Sequence, residues 1–265
     1  METSRIAESF NRLKNEKRKG FIPFITAGDP DLSATRDLIL MLARAGATVI
    51  ELGVPFSDPM ADGVVIQRAS ERALKHDFGI AEILELVREA RAETNAPIIL
   101  FSYFNPLLQY GLEKLCTEAR AAGVDGFLVT DLVPEEAQEF SRLLRENNLD
   151  MIFLVAPTST DERLKMVAGR ASGFIYAVSR AGVTGARDET SQSARILVER
   201  MRKFSALPVA VGFGISTAQQ INETWQYADA AVVGSAIVRE IENASGENDL
   251  VEKVSAFVRK LLPDG

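Results

Sequence analysis

The chain of 265 residues holds one cysteine, Cys116, and one histidine, His76. A lone cysteine excludes a disulfide framework and fits a reducing compartment. One histidine and one cysteine cannot build a zinc or iron centre of the usual type, although an oxygen-only magnesium site is left open. No apolar run approaches the roughly 20 residues of a membrane span. The opening M-E-T-S-R-I-A-E-S-F lacks the apolar core of a signal peptide and the Arg-rich, acid-poor character of a transit peptide, so a cytoplasmic location is expected. Acids outnumber bases, and a net charge of −7 argues against a nucleic-acid partner. The small basic cluster Lys14, Lys17, Arg18 and Lys19 reads as the solvated end of a helix, where cations suit the dipole. No Gly/Ser/Pro-rich linker interrupts the chain, and residues 1–265 are expected to form one domain.

What is present is a rhythm. Ile6, Phe10 and Leu13 are spaced for one face of a helix over residues 3–18. Apolar runs then begin at Phe21, Thr48, Pro97, Gly126, Met151, Phe174, Pro208 and Ala230. Helical patterns lie between them, over 33–45, 81–93, 111–122, 135–147, 161–169, 191–204 and 218–227. The runs are continuously apolar, as in a parallel sheet covered by helices. Eight strand–helix units in about 250 residues predict an α/β fold, a single (β/α)8 TIM barrel. A doubly wound sheet is the runner-up, and it gives no reason for the count to stop at eight. The helix over 3–18 is extra to the barrel. Further short helices are predicted after strand two, near 65–74, and after strand eight.

In such a barrel the chemistry lies at the C-terminal ends of the strands. No strand end carries a lysine, which argues against a Schiff-base aldolase. With no metal set at hand, acid–base chemistry by carboxylates remains. In T-V-I-E-L-G-V, Glu51 stands in mid-strand, where an unpaired carboxylate costs several kcal/mol. Two readings follow. Glu51 is an acid–base group whose pKa burial raises, or it is a structural acid paired with an arginine or a backbone amide. Asp62, before Gly63, is by itself as well explained as a turn former. Glycines in R-A-G-V-T-G-A-R after strand six, V-G-F-G-I-S after strand seven and V-G-S-A-I-V after strand eight let backbone amides approach an anion. They predict a phosphate site. Phe24, Phe101, Leu128, Phe213 and Val232, with Tyr103 and Tyr176, predict room for a flat aromatic group beside Glu51. The ligand so inferred is a phosphate ester with an apolar other end.

P-F-I-T-A-G-D-P (residues 23–30), E-L-G-V-P-F-S-D-P-M-A-D-G (51–63), I-Q-R-A (66–69), S-R-A-G-V-T-G (179–185), V-G-F-G-I-S and V-G-S-A-I-V carry a resemblance. Over essentially its full length the chain resembles the tryptophan synthase alpha subunit family. The resemblance implies a carbon–carbon lyase that cleaves indole-3-glycerol phosphate to indole and glyceraldehyde 3-phosphate by a retro-aldol reaction. It implies that Glu51 is the main acid–base group and that Asp62 binds the indole N–H. Phosphate contacts are implied at Phe213, Gly214, Gly185, Gly234 and Ser235. Phe24, Phe101, Leu128, Tyr176, Phe213 and Val232 are implied pocket residues, and Thr184 lies in a loop that closes over the site and helps order Asp62. The implied partner is a beta subunit carrying pyridoxal phosphate, in a linear alpha–beta–beta–alpha heterotetramer, with loop positions Pro55, Asp58, Asn105 and Pro106 facing it. No cofactor is expected in this chain. Phe101 is often smaller in relatives, so a tighter pocket is expected. Rival readings are another phosphate-binding barrel, a stand-alone lyase releasing free indole, and a barrel kept only to activate the partner.

Overall fold

The computed structural model of the chain describes residues 4–178, 187–212 and 214–262. Eight parallel strands close into a barrel in sequence order: β1 (Gly20–Thr26), β2 (Ile50–Gly53), β3 (Ile98–Ser102), β4 (Gly126–Val129), β5 (Asp150–Val155), β6 (Ile175–Val178), β7 (Val209–Gly212) and β8 (Ala230–Val233). β1 pairs with both β2 and β8, which leaves no edge.

Alternation along each strand makes two apolar layers. Ile50 and Leu52 of β2, Ile98 and Leu100 of β3, and Val209 and Val211 of β7 face outward, against the helices. Val49, Ile99, Leu128, Ile152, Phe174, Ala210 and Val232 fill the interior. Helix α1 (Arg5–Asn15) closes the lower end of that interior with Ile6 and Phe10. The Phe10 ring lies 5.9 Å from that of Phe174. Ser4 caps this helix, its hydroxyl accepting from Ala7 N at 3.2 Å. A plugged lower end leaves the upper end as the face open to a ligand.

The lower face also holds an ion-pair knot. Asp125, just before β4, accepts from Arg5 Nε at 2.7 Å, Arg91 Nη2 at 2.6 Å and Ile98 N at 2.8 Å. Burial pulls the Arg91 guanidinium down to about 10. This end of a barrel serves stability.

The barrel helices are α2 (Leu32–Arg44), α4 (Ile80–Arg91), α6 (Leu112–Ala122), α7 (Gln138–Glu146), α8 (Asp161–Arg170), α9 (Arg187–Met201), α10 (Ala218–Trp225) and α12 (Leu250–Leu261). The predicted extra helices are present as α1, α3 (Val64–Ala73) after β2 and α11 (Ser235–Ala244) after β8. One further helix was not predicted. Residues read from sequence as loop positions Asn105 and Pro106 lie on α5 (Phe104–Tyr110). Asp131, from the loop after β4, accepts from Phe104 N at 2.7 Å and so satisfies a first-turn amide of α5. Pro106 sits in that first turn, where a missing N–H costs nothing.

Candidate active site

Glu51 lies on the inner face of β2, between Val49 and Gly53, with Phe24 and Ile99 as its strand neighbours. It is 1% exposed, and its Oε1 has no hydrogen-bond partner. Among the described residues no arginine or lysine forms an ion pair with it. The reading of Glu51 as a paired structural acid therefore fails among the described residues. Burial pushes its carboxyl well above the ordinary 4.5, the direction that favours the protonated acid. Tyr176, also inside the barrel, has its phenol pushed well above 10 by burial and then by the Glu51 charge.

Tyr176 is held by a glycine. A Cβ on Gly212 would fall on Tyr176 Oη and stand 2.6 Å from its Cζ and 2.9 Å from Val232 Cβ. Gly212 is thus fixed by close approach. Gly212→Ala is expected to cost about 1–3 kcal/mol of stability, the usual cost of overpacking, and to displace Tyr176 from Glu51. Adding Tyr176→Phe removes the clashing oxygen but leaves the close approaches to the ring Cζ and to Val232 Cβ, so it is expected to restore only part of the loss. Thermal melts of the single and double variants check this; a double variant no more stable than the single one refutes the contact as the cause.

Asp62 sits higher, on the loop between β2 and α3, and is half-buried. Its amide closes a turn onto Pro59 O at 3.1 Å, as the turn-former reading expects. Its carboxylate is hydrogen-bonded by Tyr103 as well. The Tyr103 hydroxyl accepts from Ala61 N at 2.9 Å and donates to Asp62, so it grips the loop at two points. Gln67 adds a third, its Nε2 donating to Asp62 O at 2.9 Å. Burial raises the Asp62 carboxyl from 3.8 to about 6, against the Tyr103 hydrogen bond, which lowers it. Burial thus raises both carboxyls, that of Glu51 with no hydrogen bond to offset it and that of Asp62 with one.

Phe24 links the two levels. It neighbours Glu51 in the sheet and also lines, with Phe101, Tyr103 and Asp62, a nearly closed cavity of about 10 Å³. The Phe24 and Phe101 rings meet edge to face at 5.3 Å. Thr26 Oγ1, buried on the same wall, has no partner. Leu128 and Val232 belong to the barrel interior. At the other side of the mouth, Gly234 caps α11 without a side chain and Ser235 opens it, leaving first-turn N–H groups directed outward. Gly214 has φ +77 and open space where a Cβ would be. Gly234 and Ser235 thus stand at a helix N-terminus, a place that favours negative charge. Thr184, Gly185 and Phe213 lie outside the described residues.

Of the implied partner positions, Asp58 and Asn105 are exposed and Pro106 is half-buried. Pro55 is buried and instead lines, with Pro106, a groove of about 320 Å³ that also includes Leu74, Phe78 and Tyr110. Met60, on the same loop as Asp58, is 87% exposed, and Leu108, on α5, is 54% exposed. Sequence reading missed both, because a single exposed apolar side chain carries no periodic signal. It also missed the grips of Tyr103 and Gln67 on the Asp62 loop.

The sequence profile of the tryptophan synthase alpha chain matches residues 10–263. The tryptophan synthase alpha chain of Geobacter sulfurreducens is 50% identical over 258 residues, 97% of each chain. That of Solibacter usitatus is 47% identical over the same share. Among solved structures, tryptophan synthase subunit alpha from Legionella pneumophila aligns with a TM-score of 0.91 at 37% identity, covering 98% of this chain and 97% of that one. A chain of the tryptophan synthase a2b2 complex from Pyrococcus furiosus aligns with a TM-score of 0.85 at 41% identity, covering 91% and 97%.

Proposed function

The chain belongs to the tryptophan synthase alpha chain family, a lyase carrying the alpha reaction of tryptophan biosynthesis, and from this premise we propose that Glu51 and Asp62 perform the cleavage. The observation that carries the proposal is an unpartnered carboxyl buried on β2, Glu51, below a half-buried carboxyl on the loop that follows the same strand, Asp62, with burial raising the first well above its ordinary value and the second to about 6. Pairs whose environments push their pKa values apart divide acid and base roles.

The substrate is indole-3-glycerol phosphate. Its phosphate rests on the amides of Gly234 and Ser235 and the turn at Gly214. The indole ring takes the space beside Phe24 and Phe101, which widens from its closed form by rotation of the half-buried Phe101. Leu128, Tyr176 and Val232 form the inner wall. Protonated Glu51 delivers its proton to the ring carbon that bears the side chain. The ring becomes an indolenine cation, and ionised Asp62 accepts the N–H and stabilises that positive charge. The carboxylate left on Glu51 takes the proton of the adjacent glycerol hydroxyl. The oxygen becomes an aldehyde carbonyl, and the carbon–carbon bonding pair returns to the ring. Indole and glyceraldehyde 3-phosphate leave, and Glu51 is protonated again. The proton balance closes on one residue, and no metal or Schiff base takes part.

Under the same reading the chain works with a beta subunit in a linear alpha–beta–beta–alpha assembly in the cytoplasm, residues 1–265 acting as one domain. The Pyrococcus furiosus relative is described as an a2b2 complex, and no helix among the described residues is long and apolar enough to cross a membrane. Asp58, Asn105 and the groove of Pro55 and Pro106 form the partner face, with Met60 and Leu108 as apolar anchors. Pyridoxal phosphate belongs to that partner. The test is indole formation by the purified chain from indole-3-glycerol phosphate, titrated with a beta subunit. Activity is expected to rise and saturate at one alpha per beta. A chain that yields no indole at any ratio overturns the reading.

A further inference from the structure

Arg68 and Arg72 stand one turn apart on α3 and grip the same carboxylate. Arg68 Nε and Nη2 donate to Glu242 Oε1 and Oε2 of α11, each at 2.7 Å. Arg72 Nη1 donates to Glu242 Oε1 at 2.7 Å. The rest of the Arg72 fork is bidentate to Asp29, Nε to Oδ1 at 2.8 Å and Nη2 to Oδ2 at 2.9 Å. Asp29 lies in the loop between β1 and α2 and is 1% exposed. Hydrogen bonds from Arg68 hold the Glu242 carboxyl down at about 2 against its partial burial, with the Arg72 charge assisting. A depressed carboxyl keeps its contribution above its ordinary 4.5 and loses it as pH falls through about 2, so the Glu242 end of the knot stays charged at neutral pH, whereas burial raises the Asp29 carboxyl against the lowering effect of Arg72.

Burying Asp29 beneath Arg72 is a poor way to gain stability, because desolvation offsets much of the attraction. Planar, bidentate pairs are good at fixing direction. The two helices they fix are the ones that matter. α3 begins two residues after Asp62, and Gln67 on its first turns holds the Asp62 carbonyl. α11 begins at Ser235, and Glu242 lies two turns further along it. One helix therefore carries the end of the site that meets the ring, and the other carries the end that meets the phosphate.

We propose that the Asp29–Arg72–Glu242–Arg68 knot sets the span between the ring-binding and phosphate-binding ends of the site, with Arg72 and Glu242 as positioning residues. The inference rests on the functional reading above. A ligand that grips both ends feels the loss of the knot, while a ligand that grips one end does not.

The test uses Glu242→Gln, at a partly exposed position, and Arg72→Lys, which keeps the charge and loses the fork. Two probes are titrated into each folded variant and into the parent chain: glycerol 3-phosphate, and a phosphate joined through a three-carbon chain to an indole ring. Glycerol 3-phosphate is expected to bind each variant within about twofold of the parent. The spanning ligand is expected to bind roughly tenfold more weakly, and kcat/KM to fall about ten- to a hundredfold, the scale of a small misplacement of reacting groups. The midpoint of the pH–rate profile is expected to stay where it was, since neither carboxyl of the reaction changes its surroundings. Parallel weakening of both probes, or no weakening of either, overturns the proposal alone. A parent chain that binds neither probe overturns the functional reading and the proposal with it.

Discussion

Glu51→Gln is expected to abolish indole formation while leaving the barrel folded and the proposed phosphate site able to bind. A protonated carboxyl and a carboxamide have nearly the same size, and neither carries charge at neutral pH. Glutamine cannot give up a proton, so the ring carbon is not protonated and the bond does not break. Losing a positioned general acid costs about 10²–10⁴ in rate. Here the loss sits at the high end, because the same group must take back the hydroxyl proton. Stability separates chemistry from damage. Glu51 has its carboxyl raised well above 4.5 by burial. The stability it contributes is complete below its ordinary value and is lost as pH rises through the raised one. Glutamine has nothing to ionise. The variant is therefore expected to gain melting temperature relative to the parent as pH rises through the raised value. Single-turnover indole release and melts across pH make the check. Cleavage within a few-fold of the parent removes Glu51 from the mechanism.

Why that residue was visible in the sequence, and others were not, follows from where their partners lie. Glu51 interrupts an apolar strand, so the burial of its neighbours announces it; no contact had to be known. The eight strands were visible for the same reason, since each buries both faces and reads as one apolar run. The glycines near Gly214 and Gly234 were visible because their spacing marks turns at strand ends. Asp62 was ambiguous because a loop aspartate before glycine is an ordinary turn, and it does close one onto Pro59. What singles it out is the Tyr103 hydroxyl, which comes from β3's end, about forty positions away in sequence. The arginine knot was hidden altogether. Arg68 and Glu242 are 174 positions apart, and each alone looks like a solvated charge on a helix. Helix α5 was hidden because its first amide is satisfied by Asp131 from another loop. Local pattern reveals what a segment buries, and it does not reveal which distant side chain completes it.

Asp62→Asn is expected to lower kcat by about 10²–10³, the loss seen when one group that stabilises transition-state charge is removed, with little change in affinity for glycerol 3-phosphate. The proposed phosphate site lies on α11 and the Gly214 turn, apart from the Asp62 loop, so the two effects separate. The pH profile gives the sharper reading. Asp62 must be ionised to stabilise the indolenine cation, and burial raises its carboxyl from 3.8 to about 6. The parent rate is therefore expected to climb through pH about 6 and level above it, and the asparagine variant is expected to lack that climb. Stability runs the other way. A raised carboxyl gives its full contribution below 3.8 and has lost it above about 6, so the variant is expected to be the more stable protein on the alkaline side. Tyr103→Phe identifies which carboxyl the climb reports. Its hydrogen bond holds the Asp62 carboxyl lower than burial alone would, so losing it moves the climb to higher pH. Glu51 has no such bond, burial being the sole cause of its shift, and a climb caused by Glu51 stays where it was. A climb that survives in Asp62→Asn removes Asp62 as its source and returns that residue to the turn-forming role its place before Gly63 first suggested.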